Sequence, residues 1–170
     1  MADFKSICDW VLKQEDSTLS GRVVNLSDGQ GLTRFGIGKN SHPDLMSSFY
    51  TMPSPQALAV AEVIYEQEYW DRFQGNAIVD DGVASCLLSF SINDGTGREI
   101  RMLQECLSIP VDGVFGPQTL EHTNAYNPTM LAAALRAAQA DFYRAIVALD
   151  PTKGRFLGGW LTRAARIYPV

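Results

Sequence analysis

The segment that most restricts what this chain can fold into is its first amphipathic stretch, Phe4 to Glu15. Phe4, Ile7, Cys8, Val11 and Leu12 recur at i, i+3, i+4, i+7 and i+8, the spacing of a helix with one buried stripe, and Asp3 precedes it as an N-cap. At roughly 100° per residue the stripe spans about 300° through 80°, and Glu15 projects near 20°, close to its middle. A carboxylate is therefore aimed where apolar side chains go. Either the helix frays before Glu15 or a buried arginine satisfies it, or the acid is functional: desolvation disfavours its charged form and raises its pKa, giving a proton donor near neutrality.

The residues after Glu15 supply possible partners. Gly21, the β-branched pair Val23-Val24, the turn signal Asp28-Gly29 and a second extended run from Leu32 to Ile37 read as a hairpin folded back over the end of the first helix. Inverting glycoside hydrolysis needs a general acid on one side of the bond and, about 6.5–9.5 Å away, groups that activate a water. Asp28 could be that base and Thr33 could orient the water. In a regular second strand Thr33 shares an inward face with Phe35 and Ile37. Asp-Gly is equally the commonest hairpin turn, so Asp28 has a purely conformational explanation as well.

The rest of the chain reads as helices. Ser54 as N-cap and Pro55 at N1 start a long one to about Phe73, with Leu58, Ala61, Tyr65, Tyr69 and Phe73 inward. Asp80-Asp81 open another, carrying Val83, Ala84, Leu87, Phe90 and Ile92 and stopping at Asn93-Asp94-Gly95. Thr96 caps a fourth with Ile100, Leu103, Cys106 and Leu107 on its inner face. After Pro110, the loop Val111 to Pro117 leads into a short helix, with Gly113 suited to positive φ and Phe115 to plugging the core. Asn127-Pro128 starts a helix with Leu131, Leu135, Phe142, Ile146 and Leu149 as its apolar set, and a last helix covers Trp160 to Arg166. The expected fold class is α+β, mostly α: a helical domain with a small N-terminal hairpin.

Composition narrows the function. At 46% hydrophobic and 19% charged residues the chain is globular. It has no run of some 18 apolar residues, and its N-terminus carries Asp3 and Asp9 within a helical pattern, so neither membrane insertion nor a secretion signal is expected. Cys8, Cys86 and Cys106 are odd in number and lie in apolar-periodic segments; they read as reduced core residues, and with His42 and His122 isolated no metal or other cofactor is called for. A net charge of −5 argues against nucleic acid and gives no long-range attraction toward anionic wall polymers. Tyr69 and Trp70 adjoin on one helix and cannot both face the same way, so one of them is a candidate to line a cleft; Asn93, at a helix end, could bond a sugar or merely cap.

Together these residues resemble the glycoside hydrolase 108 family of bacterial and phage N-acetylmuramidases. Glu15, then Asp28, Gly31, Thr33 and Gly36-Ile37, is similar to the family's helix-Glu followed by Asp-x-Gly-Gly-x-Thr-x-x-Gly-Ile; Tyr69-Trp70 matches its Tyr-Trp pair, and Phe90, Asn93 and Gly95 its Phe-x-x-Asn-x-Gly. Leu103-Gln104 and Val111 to Leu120 look like the family's peptidoglycan-binding-type segment, and Gly158-Gly159-Trp160 with Arg163 like its closing Gly-Trp-x-x-Arg. The resemblance implies a lysozyme-like fold, one domain over 1–170 with a catalytic part at 1–92 and a peptidoglycan-binding-type part at 93–166. It further implies cleavage of the β-1,4 bond between N-acetylmuramic acid and N-acetylglucosamine, with Glu15 as acid, Asp28 and Thr33 beside the scissile bond, and Tyr69, Trp70 and Asn93 on the substrate. The expected partner is the peptidoglycan glycan strand, met by a monomer at the cell wall. A lytic transglycosylase and a non-catalytic wall-binding module are the rival expectations. The chain departs from the family at Glu15-Asp16-Ser17, where Glu-Gly-Gly is usual, and at Gly29-Gln30-Gly31, where Pro-Gly-Gly is usual.

Overall fold

The computed structural model describes residues 1–25, 31–45 and 47–169. Helix α1 (Phe4–Glu15) forms as its pattern predicts, with the Asp3 carboxylate accepting from the Lys5 amide. Its buried residues divide between two cores. Ile7 and Val11 join a large helical cluster containing Leu87, Leu103, Leu131 and Leu135, whereas Cys8 and Leu12 join a smaller one with Phe35, Ile37, Phe49 and Tyr65. Glu15 ends the helix where these two cores part.

The β region is a three-stranded antiparallel sheet, β1 (Val24–Asn25), β2 (Leu32–Arg34) and β3 (Ile37–Gly38). The single extended run expected from Leu32 to Ile37 is broken, because Phe35 (φ 49°) and Gly36 (φ 76°) form a two-residue turn that pairs Arg34 with Ile37. Thr33 thus pairs with Val24 on one side and Gly38 on the other, and Phe35 belongs to the turn rather than to its strand face. The Asp28-Gly29 turn lies outside the described residues.

After a 3₁₀ turn at Ser47–Tyr50, α2 (Ser54–Tyr65) begins. Ser54 is not its cap: the Ser54 hydroxyl donates to the Ser20 carbonyl and accepts from Arg34. Nor does α2 run unbroken to Phe73; it widens into a π-turn at Glu66–Trp70 and tightens to 3₁₀ geometry at Asp71–Phe73. The wider turn changes the facing of every later side chain. Helix α3 (Asp81–Asp94), capped by the Asp80 carboxylate and ended by Gly95 at φ 88°, is the central helix: Ser85, Ser89 and Ser91 are buried along with its apolar residues. Around it pack α4 (Thr96–Leu107) and α6 (Pro128–Leu149), while α5 (Pro117–Ala125) bridges them. Thr96 is buried without capping α4, and Leu149 is exposed at the end of α6. Helix α7 spans Gly154–Ala164 and starts earlier than its pattern suggests.

The loop between α4 and α5 is organised by buried Gln104. Its amide nitrogen donates to Asp112 Oδ1 (2.7 Å) and the Val114 carbonyl (3.1 Å), and its oxygen accepts from the Gly113 amide (2.8 Å). Gly113 sits at φ 77° and Phe115 is buried in the large core, the conformation and the plug that the sequence suggests for these two residues. The end of the chain then returns to α1: Tyr168 meets Trp10 edge-on at 5.6 Å, Arg166 donates to Gln14 Oε1 at 3.0 Å, and Arg163 reaches Glu15 at 3.4 Å.

Candidate active site

Glu15 lies between two cavities that share it. One, of about 360 Å³, is lined by Glu15, Thr33, His42, Tyr69, Asn93 and Arg163 among others. Its neighbour, of about 350 Å³, continues past Glu15, Thr33 and Gly36 to Asp16, Ser20 and Arg22. Four of the sequence candidates, Glu15, Thr33, Tyr69 and Asn93, therefore meet in one groove. Asp28 lies outside the described residues.

Gly36 presses the β2–β3 turn against the acid. A Cβ there would come 2.7 Å from the Tyr65 hydroxyl and 3.1 Å from Glu15 Cγ, so the left-handed turn and the close approach both require glycine. Tyr65 is buried and donates to the Phe35 carbonyl at 2.8 Å, fixing the turn from beneath; burial, with Glu15 nearby, holds its phenol well above the ordinary value. The Thr33 hydroxyl is buried and meets no hydrogen-bond partner among the described residues, a costly arrangement unless something in the groove engages it.

An arginine does meet Glu15, as one reading of the inward acid required, but it is not the buried structural pair that reading had in view. The Arg163 and Glu15 side chains keep 28% and 20% of their exposure and stand 3.4 Å apart on the cavity wall. Arg163 comes from α7, at the far end of the sequence. The motif around it was legible; its distance from Glu15 was not.

Tyr69 and Trp70 separate as the adjacency argument demands. Tyr69 is the cleft residue, half-buried and edge-on to Tyr65 at 5.9 Å. Trp70 is fully buried, its indole nitrogen donating to Asn76 at 3.0 Å and its ring packed on Phe4 and Phe73, so unlike Tyr69 it does not line the groove. The π-turn that ends at Trp70 sets this split. Asn93 donates its amide to the Ser89 carbonyl at 2.6 Å, which leaves its carbonyl oxygen for the cavity. His42, in the loop after β3, also lines the groove, between the Gly38 carbonyl (3.3 Å) and Glu68 (3.2 Å).

The Asp16-Ser17 departure has a structural account. Asp16 adopts extended backbone (φ −142°), which needs no glycine, and its carboxylate accepts from the Thr18 and Gly21 amides and the Thr18 and Ser20 hydroxyls. Although desolvation acts the other way, those bonds hold the acid below the usual carboxylate range. Asp16 braces the loop that forms one wall of the second cavity. Arg34 braces it from the other side. Buried in the small core, it donates to the carbonyls of Gly21 (2.8 Å), Phe49 (2.6 Å) and Met52 (2.8 Å) and to Ser54 Oγ (3.0 Å).

Glu15 is thus a carboxylate set in a polar groove between a helical core and a small sheet. Residues 8–95 match the glycosyl hydrolase 108 family model, and residues 98–165 match that of a predicted peptidoglycan domain. The chain belongs to the glycosyl hydrolase 108 family, and with it to the hydrolases of peptidoglycan. The structure of Brucella abortus SagA is similar in fold, with a TM-score of 0.75 and 24% identity over 96% of this chain and 90% of that one. Comparison with curated proteins finds no match. Among the described residues no group of three His, Cys, Asp or Glu side chains could hold a metal ion, and no helix is long and apolar enough to cross a membrane.

Proposed function

We propose that this protein is a muramidase that cleaves the β-1,4 bond between N-acetylmuramic acid and N-acetylglucosamine in the cell wall, with Glu15 as general acid. The supporting observation is the convergence on one groove of Glu15, Tyr69, Asn93 and the Thr33 hydroxyl, which has no partner among the described residues. Glu15 gives its proton to the glycosidic oxygen as that bond to the anomeric carbon breaks. A water, oriented by Thr33 and deprotonated by Asp28, adds to the same carbon. Tyr69 offers a face for a sugar ring, and the Asn93 oxygen accepts from its hydroxyl or amide. The segments at 1–92 and 93–166 act as one unit in this scheme, because Arg163 of the second stands against the acid of the first.

Mass spectrometry of digested peptidoglycan tests the reaction. Reducing muramic acid ends are expected; anhydromuramic ends would make the enzyme a lytic transglycosylase instead. Glu15→Gln should lower the rate by at least about 10²-fold, the usual worth of a positioned acid, and unchanged lysis would remove Glu15 from the chemistry. Asp28→Asn separates a base from a turn residue: only the former loses turnover while keeping its melting temperature.

A further inference from the structure

A third cavity, of about 490 Å³, runs along α7 and shares Arg163 with the Glu15 groove; Gln14, Arg155, Gly159, Trp160 and Arg166 line it. The last twenty residues carry Lys153, Arg155, Arg163 and Arg166 and no Asp or Glu, in a chain whose net charge is −5. Among the described residues Arg155 and Arg166 form no ion pair. Arg155 lies over the Phe156 ring at 4.6 Å, and Arg166 donates to the neutral oxygen of Gln14.

The floor of this groove is odd for a helix. Gly158 and Gly159 stand side by side within α7, although glycine is the poorest helix former after proline. Neither has a positive φ, and a Cβ at either would meet nothing within 4 Å, so nothing inside the fold needs glycine there. Arg155, Gly159 and Arg163 recur at i, i+4 and i+8, placing Gly159 between two guanidinium groups on one face.

We propose that the α7 groove binds the carboxylates of the peptide stems carried by the muramic acid residues of peptidoglycan. The bare helix backbone admits the stem, and the arginine forks take its carboxylates. The acidic remainder of the molecule repels long polyanions, whereas a carboxylate delivered by a glycan already lying in the neighbouring groove escapes that repulsion. This proposal rests on the muramidase reading for its substrate and makes the peptide-substituted strand, rather than bare glycan, the preferred one.

The test compares glycan strands that keep their stems with strands stripped by an amidase. In Arg155→Ala, the preference in kcat/KM for stem-bearing over stripped strands should fall about tenfold, the size of one charge-assisted hydrogen bond. Gly159→Leu should lose the same preference with an equal or higher melting temperature, the opposite sign from a packing defect. Equal changes on both substrates, or none, would overturn the proposal. Fluorescence titration of Glu15→Gln with a stem-bearing tetrasaccharide, with and without Arg155→Ala, keeps the two readings apart. If the chain is no muramidase, wild type releases sugar from neither substrate, yet the stem-dependent affinity still drops with Arg155.

Discussion

Arg34→Met removes the fastener of the small core while keeping most of its volume. The side chain makes four hydrogen bonds, three of them to the backbone carbonyls of Gly21, Phe49 and Met52, and it is 4% exposed. Methionine leaves those carbonyls without their donor in a site largely closed to water. An orphaned buried acceptor costs about 1–3 kcal/mol, and carbonyls fall toward the low end. Three of them give about 3–5 kcal/mol, reduced somewhat because the charge no longer has to be buried. Against a total stability of about 5–15 kcal/mol this is severe but survivable. Urea unfolding should show the midpoint falling at constant slope. Arg34→Lys should recover less than half the loss, since one ammonium cannot reach carbonyls on three separate segments. A loss below about 1 kcal/mol for Arg34→Met would refute the idea that these bonds hold the sheet against α2.

Gly75→Ala and Gly36→Ala form a matched pair. A Cβ at Gly75 would sit 2.2 Å from the buried Trp70 ring, so that variant should melt lower while the protein that remains folded keeps its turnover per molecule. Gly36→Ala should destabilise by about 1–2 kcal/mol through its left-handed φ alone, and lower kcat as well, because its clash is with Tyr65 and Glu15. Glu99 predicts an inverted pH dependence. It is buried with neither oxygen bonded among the described residues, and desolvation, with Asp94 nearby, holds its carboxyl well above the ordinary 4.5. Folding therefore takes up a proton between 4.5 and the higher folded value, and this site's contribution to stability is full below 4.5 and lost as pH rises through that window. Glu99→Gln should melt higher than wild type at pH 8 and close to it at pH 4; the same gap at both would show that Glu99 does not titrate there.

The helices were legible wherever a short-range rule decides them. Asp3, Asp80 and Asn127 each cap the helix their position announces, because a cap needs only its own next three residues. The local rule fails where a distant partner overrides it. Ser54 looks like a cap, but Arg34 and Ser20 claim its hydroxyl from across the small core. Trp70 looks like half of a cleft pair, but the π-turn delivers it to Phe4 and Phe73. Leu32 to Ile37 reads as one strand, since nothing local to Phe35 requires φ 49°; the turn forms where Tyr65 takes the Phe35 carbonyl.

The site divides along the same line. Glu15 announces itself by facing the wrong way for its chemistry, a conflict visible in periodicity alone; Thr33 is reached through a strand face shared with Phe35 and Ile37 that does not form, because the turn intervenes. His42 and Arg163 carry no such conflict: one sits in a loop beside Pro43 and the other is a charged residue on the last helix. Arg163 becomes a site residue only when the last helix closes on the first. α1 shows one flank to each core, and the end of the chain lies along its second half, Tyr168 against Trp10, Arg166 against Gln14 and Arg163 against Glu15. Loss of α7 should therefore disable Glu15 even with every residue of 1–92 intact. A truncation after Pro151 that kept full turnover on stripped glycan would show that the acid needs no help from the end of the chain.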